Sequence, residues 1–283
     1  MNLSDIRESE LKEVFDALEE AFHSNEIDFY LIGAIARNIW YSRGSKSFRS
    51  TRDLDFAVLI SNRKDYEKVR SYLIEHKSFR ATKNNSFIML SPSRVEIDIL
   101  PFGQIEIDDE VTFSETGLSN IRVNGFMEVY RAGTEDIKLQ TGHNFKVATL
   151  AGIVLLKLVA FDDRPEIRSK DARDITNIIT HYFDLQAEMI YENHSDLFGD
   201  EEGSLSEISA IVIGREIKKM VVSNQNLHQR LINIVSKQME LKSDSSFIRN
   251  MASESKATVD EMIKLLRSLL RGIEGTSEKT ENT

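Results

Sequence analysis

The 283-residue chain contains no cysteine. That absence excludes disulfides, thiolate-held zinc and a cysteine nucleophile together, and it fits a reducing, cytoplasmic setting. Proline is scarce, with only Pro92, Pro101 and Pro165, so long helical segments run without a breaker. No apolar run is long enough to cross a bilayer, which argues against a membrane partner. The opening residues, Met1 to Glu8, are polar and unlike a signal peptide. Basic charge is short as well. A net charge of -10 disfavours non-specific nucleic-acid binding over the whole surface, though it leaves room for a local basic patch. The six histidines (23, 76, 143, 181, 194 and 228) show no metal-ligand spacing. His143, in a loop after Gly142, is the one placed to reach a site, and the single Trp40 reads as core packing. The hydrophobic content of 41% is ordinary for a globular protein, and the length allows two domains.

What is present changes character along the chain. Leu11, Val14, Phe15, Leu18 and Phe22 recur at helical spacing within 4–23. A short apolar strand follows at 27–32, then Gly33 and a helix over 35–43. A second strand is expected at 54–60 and a helix at 64–76, with Tyr66, Val69, Tyr72 and Leu73 inward. Strands at 79–83 and 87–90 flank the turn-forming Asn84-Asn85. Another strand at 95–100 should stop at Pro101, and Val111, Ile121 and 126–130 suggest further strands in a meander. From Asn144 turn formers become rare. Helices are expected at 147–161, 170–182, 206–220, 226–239 and 257–270. The expected organisation is a mixed α/β core over 1–143, a C-terminal helical bundle over 144–274 and a disordered tail over 275–283.

Chemistry concentrates around Asp53 and Asp55. Side chains alternate along a strand, so acids one residue apart share a face and repel unless a cation separates them. Hard divalent cations select such oxygen ligands, and Mg²⁺ usually arrives with substrate phosphates. Asp disfavours strands, so two in one strand form a local conflict of the kind that marks functional sites. Upstream, Gly33-Ala34 joins a strand to a helix, where backbone N–H groups and the helix dipole favour a phosphate. Downstream, Glu96 and Asp98 alternate with Val95, Ile97 and Ile99. If that strand lies beside the first, one of its acids completes a carboxylate triad able to hold two metal ions. Asp98 is preferred over Glu96. Between Arg37 and Arg52 lie Arg37, Arg43, Lys46, Arg49 and Arg52 with no acid among them, either a solvated loop or a phosphate-attracting rim. In the helical half, Lys157 and Arg164 are seven apart and so share a helix face. Asp171 and Asp174 lie one turn apart, either a helix-start charge pair capped by Ser169 or a base and its support.

The strand, Gly-Ala turn and helix followed by Arg49-Ser-Thr51-Arg-Asp53-Leu-Asp55-Phe resemble the DNA polymerase β nucleotidyltransferase superfamily. Lys157-Leu-Val-Ala-Phe-Asp-Asp-Arg164 and Lys170-Asp171-Ala-Arg-Asp174-Ile are similar to the AbiEii/AbiGii toxin-like group, over roughly Asp28 to Ile178. The resemblance implies an α/β (α+β) nucleotidyltransferase core with a mixed sheet. It implies a transferase moving a nucleoside monophosphate from an NTP to an acceptor such as tRNA, with an antitoxin protein as partner. Asp53, Asp55 and Asp98 would hold Mg²⁺ as two ions (or Mn²⁺). Gly33, Ala34, Arg37, Arg49, Thr51 and Arg164 would bind nucleotide, Lys157 would contact phosphate, and Asp171 or Asp174 would act as base or structural partner. Many superfamily members carry Ser or Gly where this chain has Ala34, so a hydroxyl contact to phosphate is lost while backbone donors remain. An aminoglycoside-type small-molecule transferase and a non-catalytic nucleotide-binding relative are the alternatives.

Overall fold

The computed structural model describes residues 8–44, 46, 53–113, 120–199 and 203–275. It separates into two compact units, 1–149 and 150–283.

The first unit is built on a seven-stranded mixed sheet in the order β3-β4-β5-β2-β1-β9-β8. In chain order its elements are α1 (Glu8–Ser24), β1 (Phe29–Ile32), α2 (Gly33–Arg43), β2 (Asp53–Leu59), α3 (Arg63–Lys77), β3 (Arg80–Ala81), β4 (Ile88–Leu90), β5 (Glu96–Phe102), β6 (Glu110–Thr112), β7 (Asn120–Arg122), α4 (Phe126–Ala132), β8 (Thr134–Lys138) and β9 (Asn144–Ala148). Strand β2 is central, antiparallel to β1 and parallel to β5. β6 and β7 form a separate hairpin.

The period-2 pattern decides which face is buried. Leu54, Phe56, Val58, Ile97 and Ile99 are fully buried and share one face by alternation. Phe56 meets Phe15 and Phe22 of α1, Phe29 and Phe145, with ring centroids 5.9–6.2 Å away. The apolar stripe of α1 thus seals this face and leaves the acidic face opposite. Trp40 is buried and donates to the Ala148 carbonyl at 2.7 Å.

Several elements depart from the sequence expectation. Pro101 lies inside β5 rather than ending it. The Ile99 N–H points to the β4 side, where it bonds the Phe87 carbonyl, so the Pro101 nitrogen faces the same side two residues on. The β4 ladder ends at Asp98, and no donor is needed there. Residues 126–130 form helix α4, not a strand, because Gly125 enters it in a left-handed conformation and Gly133 closes it. Residues 144–148 are strand β9, pairing with both β1 and β8, so the helical half begins later than Val147. On α3, Tyr72 is half-buried and bonds Glu20, while Arg70 is the buried residue, donating to the Ser86 carbonyl.

The second unit contains α5 (Leu150–Asp163), α6 (Ser169–Asn193), α7 (Leu205–Val221), α8 (Gln225–Leu241), α9 (Ser246–Ser255) and α10 (Val259–Glu274). Helix α9 was not expected, and α6 runs eleven residues past the expected end at Tyr182, through a kink at Gln186. Helices α7 and α10 meet at Gly214 and Gly272, whose Cα atoms leave no room for a side chain on either helix. Capping boxes at Ser204/Glu207 and Thr258/Glu261 start these two helices.

Candidate active site

Register brings the acids of β2 and β5 together. Asp55 stands opposite Asp98 and Asp53 opposite Glu96. Neighbouring strands lie about 4.8 Å apart, and in-register residues of a parallel pair point to the same face. All four carboxylates therefore share one face of two adjacent strands. Asp53 is exposed, while Asp55, Glu96 and Asp98 are half-buried. Further along the same face, the sheet becomes apolar at Ala57 and is covered by α4, through Tyr30 donating to the Phe126 carbonyl at 2.9 Å. The acids thus occupy the less covered end of this face, with Asp53 exposed at its margin. Burial, and then the negative charge of Asp53, hold the Glu96 carboxyl above its usual range.

Gly33 supplies the floor. It has φ of 67°, and a Cβ there would lie 2.1 Å from the Asp55 Oδ2. The Asp55 carboxylate rests against the first residue of α2 in space that only glycine vacates. Helix α2 has no side-chain cap and no acid in its first turn, so its positive end meets the acidic face without an internal neutralising carboxylate. Ala34 follows as the second helical residue, half-buried.

The donor set is all oxygen, which suits a hard cation such as Mg²⁺ and excludes a thiolate- or imidazole-dependent metal. The triad expected from sequence is not drawn in: among the described residues, no three His, Asp or Glu side chains are gathered closely enough to hold an ion by themselves. Mg²⁺ commonly takes one or two carboxylates and completes its shell with water and phosphate. The adjacent half-buried pair Asp55 and Asp98 fits that requirement.

The basic rim is corrected at Arg37, which is fully buried, hydrogen-bonded to Asn38 and stacked against Tyr41. A side chain with no solvent exposure is not part of a surface rim. Arg43 is exposed and lies over the Trp40 ring at 4.7 Å, and Lys46 is half-buried. Arg49, Thr51 and Arg52 lie outside the described residues. His143 is a packing residue: it is buried, bonded to Thr141 and Asp16 and set edge-on to Phe15.

The second unit holds its own charged cluster. Lys157 of α5 lies 2.7 Å from Asp171 and 2.8 Å from Asp174 of α6, with all three nearly buried. Burial pulls the ammonium down, but the two carboxylates outweigh it and hold its pKa above the ordinary value. Ser169 is not the cap of α6, since it is the first helical residue and Arg168 precedes it without a side-chain bond. Arg164 falls just past the end of α5 and so does not continue the helix face of Lys157, although its N–H still bonds the Ala160 carbonyl. The sequence reading missed the clamp beside it. Arg230 of α8 bonds Asp162 at 2.9 Å and Asp163 at 2.7 Å. Two acids at a helix C-terminus oppose the dipole, and that conflict was the available signal for a cationic partner.

No curated protein matches the chain. Among solved structures, the antibiotic-resistance factor ANT(2'')-Ia in solution aligns with a TM-score of 0.39 and 10% identity, over 79% of this chain and 100% of that one. The crystal structure of ANT(2'')-Ia with adenylyl-2''-tobramycin aligns with a TM-score of 0.40 and 11% identity, over 67% and 99%. The family model of the nucleotidyl transferase AbiEii toxin of type IV toxin–antitoxin systems matches residues 16–249, which include the acidic strands, the Gly33 turn and the Lys157 cluster. The chain belongs to the AbiEii family of toxin-type nucleotidyltransferases.

Proposed function

We propose that the protein moves a nucleoside monophosphate from an NTP to an acceptor hydroxyl on RNA, with tRNA as the first candidate. The observation that carries this reading is the in-register pair Asp55 and Asp98 beside Gly33 at the start of α2. Asp55 and Asp98 would hold Mg²⁺ as the adjacent pair, with Asp53 joining them when the cation is bound, and the ion would supply charge neutralisation on the phosphates. The backbone N–H groups at Gly33 and Ala34 receive triphosphate oxygens. In the second unit, Lys157 and Arg164 are the cations proposed to contact phosphate, and the Asp171–Asp174 pair keeps Lys157 charged. Positioning and electrostatics, rather than a covalent intermediate, carry the rate. Arg43 and Lys46, next to the acidic strands in sequence, favour a polyanionic acceptor over a cationic small molecule.

The test is incubation of the protein with each labelled NTP, Mg²⁺ and either total tRNA or an aminoglycoside panel. Label should enter tRNA. Asp53→Ala should abolish the transfer while leaving the circular dichroism spectrum and melting midpoint unchanged. Full activity in Asp53→Ala would overturn the mechanism, and label in an aminoglycoside would overturn the acceptor.

A further inference from the structure

The end of α6 and the turn after it carry a surface that nucleotidyl transfer does not use. Tyr191 and Phe198 stack on each other at 4.8 Å and 25°, and both stand edge-on to the largely buried Phe183. The outer pair is exposed, 57% for Tyr191 and 38% for Phe198. Scattered exposed apolar residues are ordinary, but tyrosine is enriched at interfaces, where one end of the ring is apolar and the other wet, and here the two exposed rings are stacked together.

The charge around them is one-sided. From 175 to 199, along α6 past the Lys157 cluster and through the following turn, the chain has Asp184, Glu188, Glu192 and Asp196 and no Lys or Arg. Tyr191 and Glu192 stand three and four residues after Glu188, so each shares a helix face with Glu188. The two glutamates are exposed, stand four residues apart and have no ion-pair partner among the described residues. Like charges at that spacing destabilise a helix by a few tenths of a kcal/mol. Asp196, in the following turn, is neutralised by Arg215, which bonds it at 2.8 Å. An unbalanced acidic stripe beside exposed rings disfavours nucleic acid, whose phosphates it repels, and favours cations that bond the carboxylates and lie over the Tyr191 ring.

We infer that the Tyr191–Phe198 surface, with Glu188 and Glu192, docks a basic amphipathic helix of a partner protein, apolar residues against the rings and Lys or Arg against the glutamates. All four of these residues belong to the second unit.

The probe is a fluorescein-labelled Leu/Lys amphipathic peptide of about 18 residues, five helical turns. A Leu/Glu peptide of the same pattern and a single-stranded RNA serve as comparison ligands, all titrated against the full chain by anisotropy. The Leu/Lys peptide should bind, and the Leu/Glu peptide should not. The double variant Glu188→Lys, Glu192→Lys, which changes only exposed positions, should weaken it by about tenfold or more. Tyr191→Ser should weaken it as well, and increasingly at high salt, where screening leaves the ring contacts as the main attraction. Unchanged affinity in the double variant would overturn the assignment. RNA binding lost on Tyr191→Ser, or a dimer of the free chain in light scattering that Tyr191→Ser dissolves, would overturn the choice of occupant. Transfer activity of the double variant should equal wild type, which separates this surface from the transfer site.

Discussion

An alanine at Gly33 would place a methyl group 2.1 Å from Asp55 Oδ2 in a backbone conformation with φ of 67°. Either the carboxylate or the turn must give way. Gly33→Ala should therefore lose Mg²⁺–NTP binding in calorimetry and lower stability by about 1–3 kcal/mol. The paired glutamate gives a pH test. The Glu96 carboxyl sits above its usual range, because of burial and then Asp53. A raised carboxyl stabilises the fold at pH below its unfolded value, and that contribution is lost as pH rises through the folded value. Glu96→Gln should raise the melting midpoint at neutral pH, and the gain should vanish in acid. A gain that persists at low pH would show that the charge on Glu96 is not the cause. At Lys157 the sign matters at the other end of the scale. Its pKa is held above the ordinary 10.5, so its contribution is intact below that pH and fades above it. Lys157→Met leaves Asp171 and Asp174 facing each other in a buried site. Urea titration should show a loss of about 3–5 kcal/mol.

Elements whose burial follows a simple period were legible in the sequence. Leu54, Phe56 and Val58 announced the buried face of β2, and Leu11 to Phe22 announced α1. The site acids were legible for the same reason, because their spacing in β2 and β5 put them on the opposite face before any register was known. Strand pairing itself was not readable, since nothing local says that Asp55 meets Asp98 rather than Glu96. Strand β9 was hidden because Val147 and Ala148 run straight into the apolar α5. Helix α4 was hidden because seven residues are too few to show a period, so Phe126 and Tyr130 passed for strand residues. The close crossing of α7 and α10 was invisible for want of any marker beyond two isolated glycines. At Gly272 a Cβ would lie 2.2 Å from the Ile211 carbonyl oxygen, a backbone atom with no freedom to swing away. Gly272→Ala should lower the urea midpoint, at a cost of about 1–3 kcal/mol or more for overpacking. A neutral result would mean the helices separate without penalty.

At the scale of the molecule, the two units differ in how they hold charge. The first sets Asp53, Asp55, Glu96 and Asp98 on one sheet face, Asp53 exposed and the other three half-buried. The second buries Lys157 between Asp171 and Asp174, with Arg168 3.8 Å from Asp171 as a further cation. No helix among the described residues is long and apolar enough to cross a membrane. Labels that read solvent access should therefore divide the acids cleanly. Carbodiimide coupling at neutral pH is expected to modify Asp53 well before Asp171 or Asp174, as peptide mapping would show; equal labelling would contradict the burial difference.

Strand β2 is bonded on both sides and backed by Phe56 and the α1 stripe. Its amide protons at 54–58 should be among the last to exchange with deuterium, because only a near-global opening frees them. The two acids at its start are thus attached to the slowest-breathing segment of the first unit. Partial openings at the sheet margins, such as β3 or β8, would leave Asp55 and Asp98 in register, so the arrangement outlasts the fluctuations that fray the edges of the unit carrying it.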